Sequence, residues 1–353
     1  MHLPHRSLFL FLIACFTTGS PRLIAAPASE LIFPIGSTSF PSSHASTIVE
    51  LKDGNLLAAW FGGSGEGKPD VAIWSSRHTA QGWSKPIELT REPNIPCWNP
   101  VLFHTHDGTL WLYYKFGPNP AEWTAARKFS TDEGRTWSQP EHLPAGILGP
   151  IRAKPLVLPD GSIVSGSSIE SYRSWAVWIE RSINNGTTWS KLGPLVPAFP
   201  AGALLPPANG FPNFGIIQPS VVALSPTHLR LYARSTEQIH HICIADSYDA
   251  GLTWSQPHPL DLPNPNSGID AVALHDGRVV LIYNDTPNGR SPLNLAVSID
   301  GEHFHNFATL ESAPGEFSYP AIIQTTHGDL EITYTWNRKS IRHVHVPLSD
   351  VPR

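Results

Sequence analysis

Charge is scarce in this sequence. Asp, Glu, Lys and Arg make up 15% of its 353 residues, and the formal net charge is −5. No basic run or stripe occurs, which argues against nucleic acid as a partner. Cysteine is scarce too. Of three, Cys97 and Cys243 lie far apart and fit no metal-ligand spacing. They read as small buried residues. Beyond Phe16 there is no long apolar run, and the run Leu8 to Phe16 falls far short of the ~20 residues a membrane helix needs. Helical periodicity of core length is missing, as is any nucleotide-binding fingerprint. The 17 histidines sit in scattered or repeat contexts. No metal and no cofactor are therefore expected.

Turn formers and aromatics are abundant. Thirty-five Pro and 27 Gly imply many turns, and 41% hydrophobic residues imply a folded chain. The 12 Trp suit a sheet-packed core or a sugar-binding surface. The start, MHLPHRSLFLFLIACFTTGSPRLIAAPASE, places a basic residue before a short apolar run and small residues after it. That pattern predicts a signal peptide over residues 1–28, cleaved near Ala26–Ala28, and a secreted or periplasmic protein. LIAC, ending at Cys15, also matches a lipoprotein cleavage site, with Cys15 as the lipid anchor. Residues 29–353 then form a single domain, expected to be monomeric.

The chain is periodic. STDEGRTW at Ser130 returns as SINNGTTW at Ser182 and SYDAGLTW at Ser247. Worn copies are SRHTAQGW at Ser76 and SIDGEHF at Ser298. Between them recur two apolar strands around a DG-type turn: IVELKDGNLLAAW, LFHTHDGTLWLYY, LVLPDGSIVSG, VALSPTHLRLYA, VALHDGRVVLIY and IIQTTHGDLEITY. Repeats of about 50 residues holding several short strands predict an all-β, six-bladed β-propeller of four-stranded antiparallel blades. Asp-Gly supplies the hairpin turns. In such a blade the DG turn and the octapeptide fall at the same end. A motif repeated in blade after blade is scaffold, so chemistry is expected at the opposite end.

Counting back from each turn finds polar residues where first strands begin. Asn99, Arg152, Gln218 and Tyr319 each stand eight residues before the Asp position of their turn. Asp270 shares their face one pleat deeper, and His44 joins them only if a bulge re-aims it. Second-strand ends and the loops after them add Glu66, Asp70, Glu170, Arg234 and Arg290. A polar mouth with several guanidinium forks, nearby carboxyls and a tyrosine suits an acidic sugar, recognised through its carboxylate.

With these motifs the sequence resembles the sialidase (neuraminidase) superfamily, in its divergent BNR-repeat branch, over essentially the whole mature chain. The octapeptides are similar to its Asp-boxes, which that family carries away from its active site. The resemblance implies an arginine triad, a tyrosine nucleophile, an assisting glutamate and an acid/base aspartate. Arg234 in LYARS and Arg290 in NGRSPLNLAVSIDG match the second and third arginines, and Tyr319 in FSYPAII matches the nucleophile. Three positions depart. His44 stands where the first arginine is expected, Gln218 where the glutamate is expected, and Glu66, with Asp70 as competitor, where the aspartate is expected.

The reaction implied is exo-acting hydrolysis that releases a terminal acidic sugar from a glycan, with Tyr319 as nucleophile and Glu66 or Asp70 as acid/base. Gln218 cannot serve as the base for Tyr319, whereas His44 or Asp270 could within hydrogen-bond reach. The clamp would be Arg234 and Arg290, with His44, Asn99, Arg152 and Trp98 as further binding residues. Two alternatives stay open: a uronate-active glycosidase or lyase, and a non-catalytic sugar-binding propeller with Trp60, Trp98 and Trp123 as stacking platforms.

Overall fold

The computed structural model describes residues 27–171, 174–198 and 214–353. The expected signal peptide and Cys15 lie outside these residues, except that Ala28 already begins a strand. The described residues are almost entirely β, with one short 3-10 turn at Leu348–Asp350.

Six antiparallel units follow one another along the chain. Blade 1 holds Ser42–Glu50, Leu56–Gly63 and Ala72–Thr79, with its fourth strand broken into Gly82–Trp83 and Ile87–Thr90. Blade 2 holds Cys97–His104, Leu110–Phe116, Thr124–Ser130 and Glu141–His142. Blade 3 holds Leu156–Val157, Ile163–Glu170, Ser174–Ser182 and Ser190–Leu195. Blade 4 holds Phe214–Ala223, Leu229–Ser235, His241–Ser247 and His258–Pro263. A two-residue parallel contact, Ser174 and Trp175 beside Phe214 and Gly215, joins these two sheets. Blade 5 holds Asp270–Ala273, Val279–Tyr283, Leu293–Ser298 and His305–Glu311. Blade 6 holds Phe317–Gln324, Leu330–Trp336 and Ser340–Val346. Its outermost strand is Ala28–Leu31 from the chain start, paired antiparallel with the third. The first and last described strands thus share one sheet.

Hydrogen bonds from first and second strands stitch neighbouring blades into a ring. Leu102 N donates to Thr47 Oγ1 (3.2 Å) between blades 1 and 2, and Lys115 Nζ to Pro150 O between blades 2 and 3. Gln218 N donates to Ser168 Oγ (3.3 Å), and Ser220 Oγ to Asp270 Oδ1 (2.6 Å). Ile322 N donates to Asp270 Oδ2 (3.0 Å), and Ala45 N to Thr335 Oγ1 (3.1 Å) closes the circle. Apolar side chains fill the spaces between neighbouring blades. Ala59, Phe61 and Ile73 of blade 1 pack with Leu102, Leu112 and Tyr114 of blade 2.

Each octapeptide is a closed hydrogen-bonded loop. Ser130 Oγ donates to Asp132 Oδ1 (2.7 Å) and accepts from Gly134 N (2.8 Å), while Asp132 accepts from Thr136 N (2.8 Å). Gly134 has φ +75°, which its missing Cβ permits. Hydrogen bonds from Thr136 and Ser130 hold the Asp132 carboxyl well below the usual range. Ser247, Asp249, Gly251 and Thr253 repeat the loop in blade 4. These loops lie beside the turns joining first and second strands: Lys52 N, next to the first DG pair, donates to Glu133 Oε2.

Candidate active site

The opposite end carries a local backbone irregularity four times. In blades 1, 2, 4 and 6 the first strand places two residues against one on the second: Ala45–Ser46, Asn99–Pro100, Gln218–Pro219 and Tyr319–Pro320. These are β-bulges. Their first residues have left-handed backbone, with φ 57° at Ala45, 35° at Asn99, 54° at Gln218 and 52° at Tyr319. Three of the four second residues are proline, which brings no N–H for the interrupted ladder to lose. Equal height therefore comes from the bulge as much as from strand alternation. Arg152 belongs to the same offset but precedes its short strand, and at that offset blade 5 has Gly268, not Asp270. His44 is the residue before a bulge, not the bulged one.

A cleft of about 220 Å³ opens there. Nine of the residues read from sequence line it: Glu66, Trp98, Asn99, Trp123, Glu170, Gln218, Arg234, Arg290 and Tyr319. Pro120, Trp175 and Arg338 complete the wall. Tyr319 Oη accepts from Arg234 Nη1 (2.8 Å) and Gln218 Nε2 (3.3 Å). The same Arg234 nitrogen donates to Gln218 Oε1 (3.2 Å), which turns the amide nitrogen towards the phenol. Three guanidinium carbons surround the Tyr319 ring: Arg152, Arg234 and Arg290 at 5.3, 5.8 and 5.6 Å from its centre.

Arg338 is the residue sequence reasoning missed. It sits with Asn337, both at positive φ, in the three-residue turn between the paired Trp336 and Ser340. Its backbone carbonyl accepts from Ser43 N (2.9 Å), beside His44. The guanidinium reaches both Glu316 oxygens (2.9 Å each) and is ion-paired with Glu66. Arg290 shares Glu316 (2.7 Å). Burial alone would push Glu316 up, but hydrogen bonds from Arg338 and the charges of Arg290 and Arg338 bring it below its ordinary value. The signal for Arg338 was available: it lies just past the end of a second strand, as Arg234 and Glu66 lie at or just past theirs.

Other expected residues lie outside the wall. His44 is buried under the cleft, its ring centre 4.2 Å from that of Tyr319. Neither ring nitrogen finds a partner among the described residues. Burial, then the charges of Arg338, Arg290, Arg152 and Arg234, hold its pKa well below the usual histidine value. Arg152 is buried beneath Tyr319 and donates to Ile269 O (2.9 Å) and Pro320 O. Asp270 is buried and taken by Ser220 Oγ, Ile322 N and Lys154 Nζ (3.0 Å), so it knits blades rather than facing Tyr319. Asp70 accepts from Ser64 N and Oγ (2.8 and 2.7 Å), shaping the loop that carries Glu66. Trp60 is not a stacking platform: it is fully buried, stacked on Phe33 at 5.1 Å. Among the described residues no group of His, Cys, Asp or Glu stands ready to hold a metal ion. A larger hollow, about 390 Å³, lies at the outer edge of blade 1 between Phe33, Phe40, Trp74 and Trp83. Its only ionisable lining residue is Lys85, so it offers no acid–base pair.

Residues 54–332 match the BNR repeat-like domain. No curated protein matches the chain. The fold is similar to that of the NanB sialidase from Streptococcus pneumoniae, with a TM-score of 0.71 and 14% identity, covering 92% of this chain and 71% of that one. It is also similar to a Hadza microbial sialidase, Hz136 (TM-score 0.72, 18% identity, 92% and 69% covered). A protein of unknown function from Dyadobacter fermentans is comparably similar (TM-score 0.74, 16% identity, 91% and 98% covered). At these identities the likeness is one of fold. Among the described residues no helix is long and apolar enough to cross a membrane.

Proposed function

The chain belongs to the BNR repeat-like family, and from that premise we propose that it is an exo-acting glycoside hydrolase of sialidase type, releasing a terminal acidic sugar from glycans. One observation carries the reading: the Tyr319 hydroxyl lies 2.8 Å from Arg234 in a cleft that Arg290 and Arg338 also line. The sugar's carboxylate would lie across these three guanidinium groups, whose planar forks suit it. Arg338 takes the part that His44 cannot. An anionic nucleophile beside that carboxylate would repel it, whereas a phenol does not.

Tyr319 has no carboxylate base, because Gln218 stands in that place. What it has are two donors aimed at its oxygen and guanidinium groups around its ring. Such preorganised donors stabilise the negative charge that grows on the oxygen as its proton leaves. Trp98 and Trp123, 6.0 Å apart and nearly perpendicular, supply apolar surface for the sugar ring. The leaving oxygen needs a proton from a carboxylic acid in the cleft. Glu66 and Glu170 are within it; Asp70 is not. The N-terminal sequence fits an export signal, which would bring the enzyme to external glycans.

The test is a panel of chromogenic exo-glycosides of acidic sugars. At least one nonulosonic acid glycoside should be cleaved. Tyr319→Phe should lower kcat by about 10²-fold or more while the thermal unfolding midpoint stays put. Full activity in that variant would refute the tyrosine mechanism.

A further inference from the structure

The two cleft carboxyls have different surroundings. Glu66, on the loop after the second strand of blade 1, is ion-paired with Arg338. One of its oxygens is engaged by that guanidinium. Glu170 ends the second strand of blade 3, opposite Trp175 in the ladder. The Arg234 guanidinium lies 5.5 Å over that Trp175 ring. Among the described residues no group donates a hydrogen bond to the Glu170 carboxyl, although it lines the same cleft as Tyr319. The charged groups facing it are Arg234 from blade 4 and Glu66 from blade 1. Burial raises its pKa above the ordinary carboxylate value; Arg234 opposes this and Glu66 adds to it. A buried carboxyl held above its ordinary value is suited to keep a proton for general-acid work.

We propose that Glu170 is the proton donor to the leaving oxygen, and that Glu66 is a positioning residue that holds Arg338. This assignment rests on the hydrolase reading above. In the first step the Tyr319 oxygen bonds to the anomeric carbon as the glycosidic C–O bond breaks. The Glu170 proton passes to the leaving oxygen, and the phenol proton passes to water. In the second step water attacks the anomeric carbon, the bond to Tyr319 breaks, and Glu170 takes a proton from that water. Tyr319 regains its proton from solvent, so one water is consumed per bond cleaved.

The experiment compares the methyl and 4-nitrophenyl α-glycosides of N-acetylneuraminic acid. 4-Nitrophenolate leaves without a proton and methoxide does not. Glu170→Gln should lower kcat on the methyl glycoside by about 10²- to 10⁴-fold. On the 4-nitrophenyl glycoside it should release a stoichiometric burst of nitrophenol and then stall with Tyr319 glycosylated. The alkaline limb of the wild-type kcat/KM profile should disappear in that variant. Glu66→Gln should slow both substrates alike, mainly through KM. Glu170→Asp, which keeps the carboxyl, guards against misfolding: it should keep measurable methyl glycoside turnover. An aglycone-dependent loss in Glu66→Gln, or equal losses of the first-turnover rate on both aglycones with no burst in Glu170→Gln, would overturn the assignment. Wild-type enzyme inert on both glycosides would instead mean that the hydrolase reading itself has failed, and the assignment with it.

Discussion

At the residue scale the site is built by backbone as much as by side chains. Asn99, Gln218 and Tyr319 hold left-handed conformations that cost on the order of 1–3 kcal/mol each. The bulges keep them there, and the cleft is where they meet. Gly268 leaves the space they need: a Cβ there would stand 3.2 Å from Arg152 Nε and 3.5 Å from Tyr319 Cδ2. His44 shows how burial decides a role. Its folded pKa is depressed, so on acidification the unfolded chain takes up the proton first. Its contribution is complete above about 6.5, the ordinary histidine value, and is lost as pH falls below that. Relative to wild type, His44→Gln should flatten the acid fall of stability by about 1.4 kcal/mol per pH unit in that window, read from urea melts. His78 and His104 are lowered too, mainly by burial, and remain in both proteins. Parallel pH curves for the two proteins would mean that His44 takes up its proton alike in the folded and the unfolded chain, against the depressed pKa.

At the element scale, the turn and the bulge have opposite duties. The octapeptide was legible because its hydrogen bonds are local, so the same residues must recur. Ser247 Oγ donates to Asp249 Oδ1 (2.8 Å) and accepts from Gly251 N (2.8 Å). Ser247→Ala should cost about 1 kcal/mol of stability and leave turnover unchanged, because the loop is at the end away from the cleft. A fall in kcat at constant urea midpoint would contradict that separation. The bulges were less legible. Asn-Pro, Gln-Pro and Tyr-Pro at equal offsets mark three of them, but the pairing of two residues against one exists only between strands. Arg338 shares the strand-end position of Arg234, but only the folded turn places it beside Ser43, far away in sequence.

At the scale of the whole molecule, Asp270 is the clearest revision. Sequence offset put it among residues that face Tyr319, whereas the fold uses its carboxylate to join blades 4, 5 and 6 and to pair with Lys154. Asp270→Ala strands the Lys154 charge and breaks both joints, so a loss of about 3 kcal/mol or more is expected in denaturant melts. Impaired turnover with an unchanged melt would return Asp270 to the chemistry. Circular closure has the same logic. The strand Ala28–Leu31 completes blade 6, so the first and last described strands are held in one sheet.

The sequence by itself determined the propeller, the orientation of its blades and most of the cleft. Period, turn chemistry and strand offset are local properties, and they carry Tyr319, Arg234, Arg290, Gln218 and Trp98 with them. Only the tertiary structure decided which charges share a space. Glu66 rather than Asp70 reaches the cleft, Arg338 lines it beside Arg290, and His44 and Asp270 are buried beneath. Ion pairing and desolvation depend on neighbours brought together by ring closure, and no spacing along the chain encodes them.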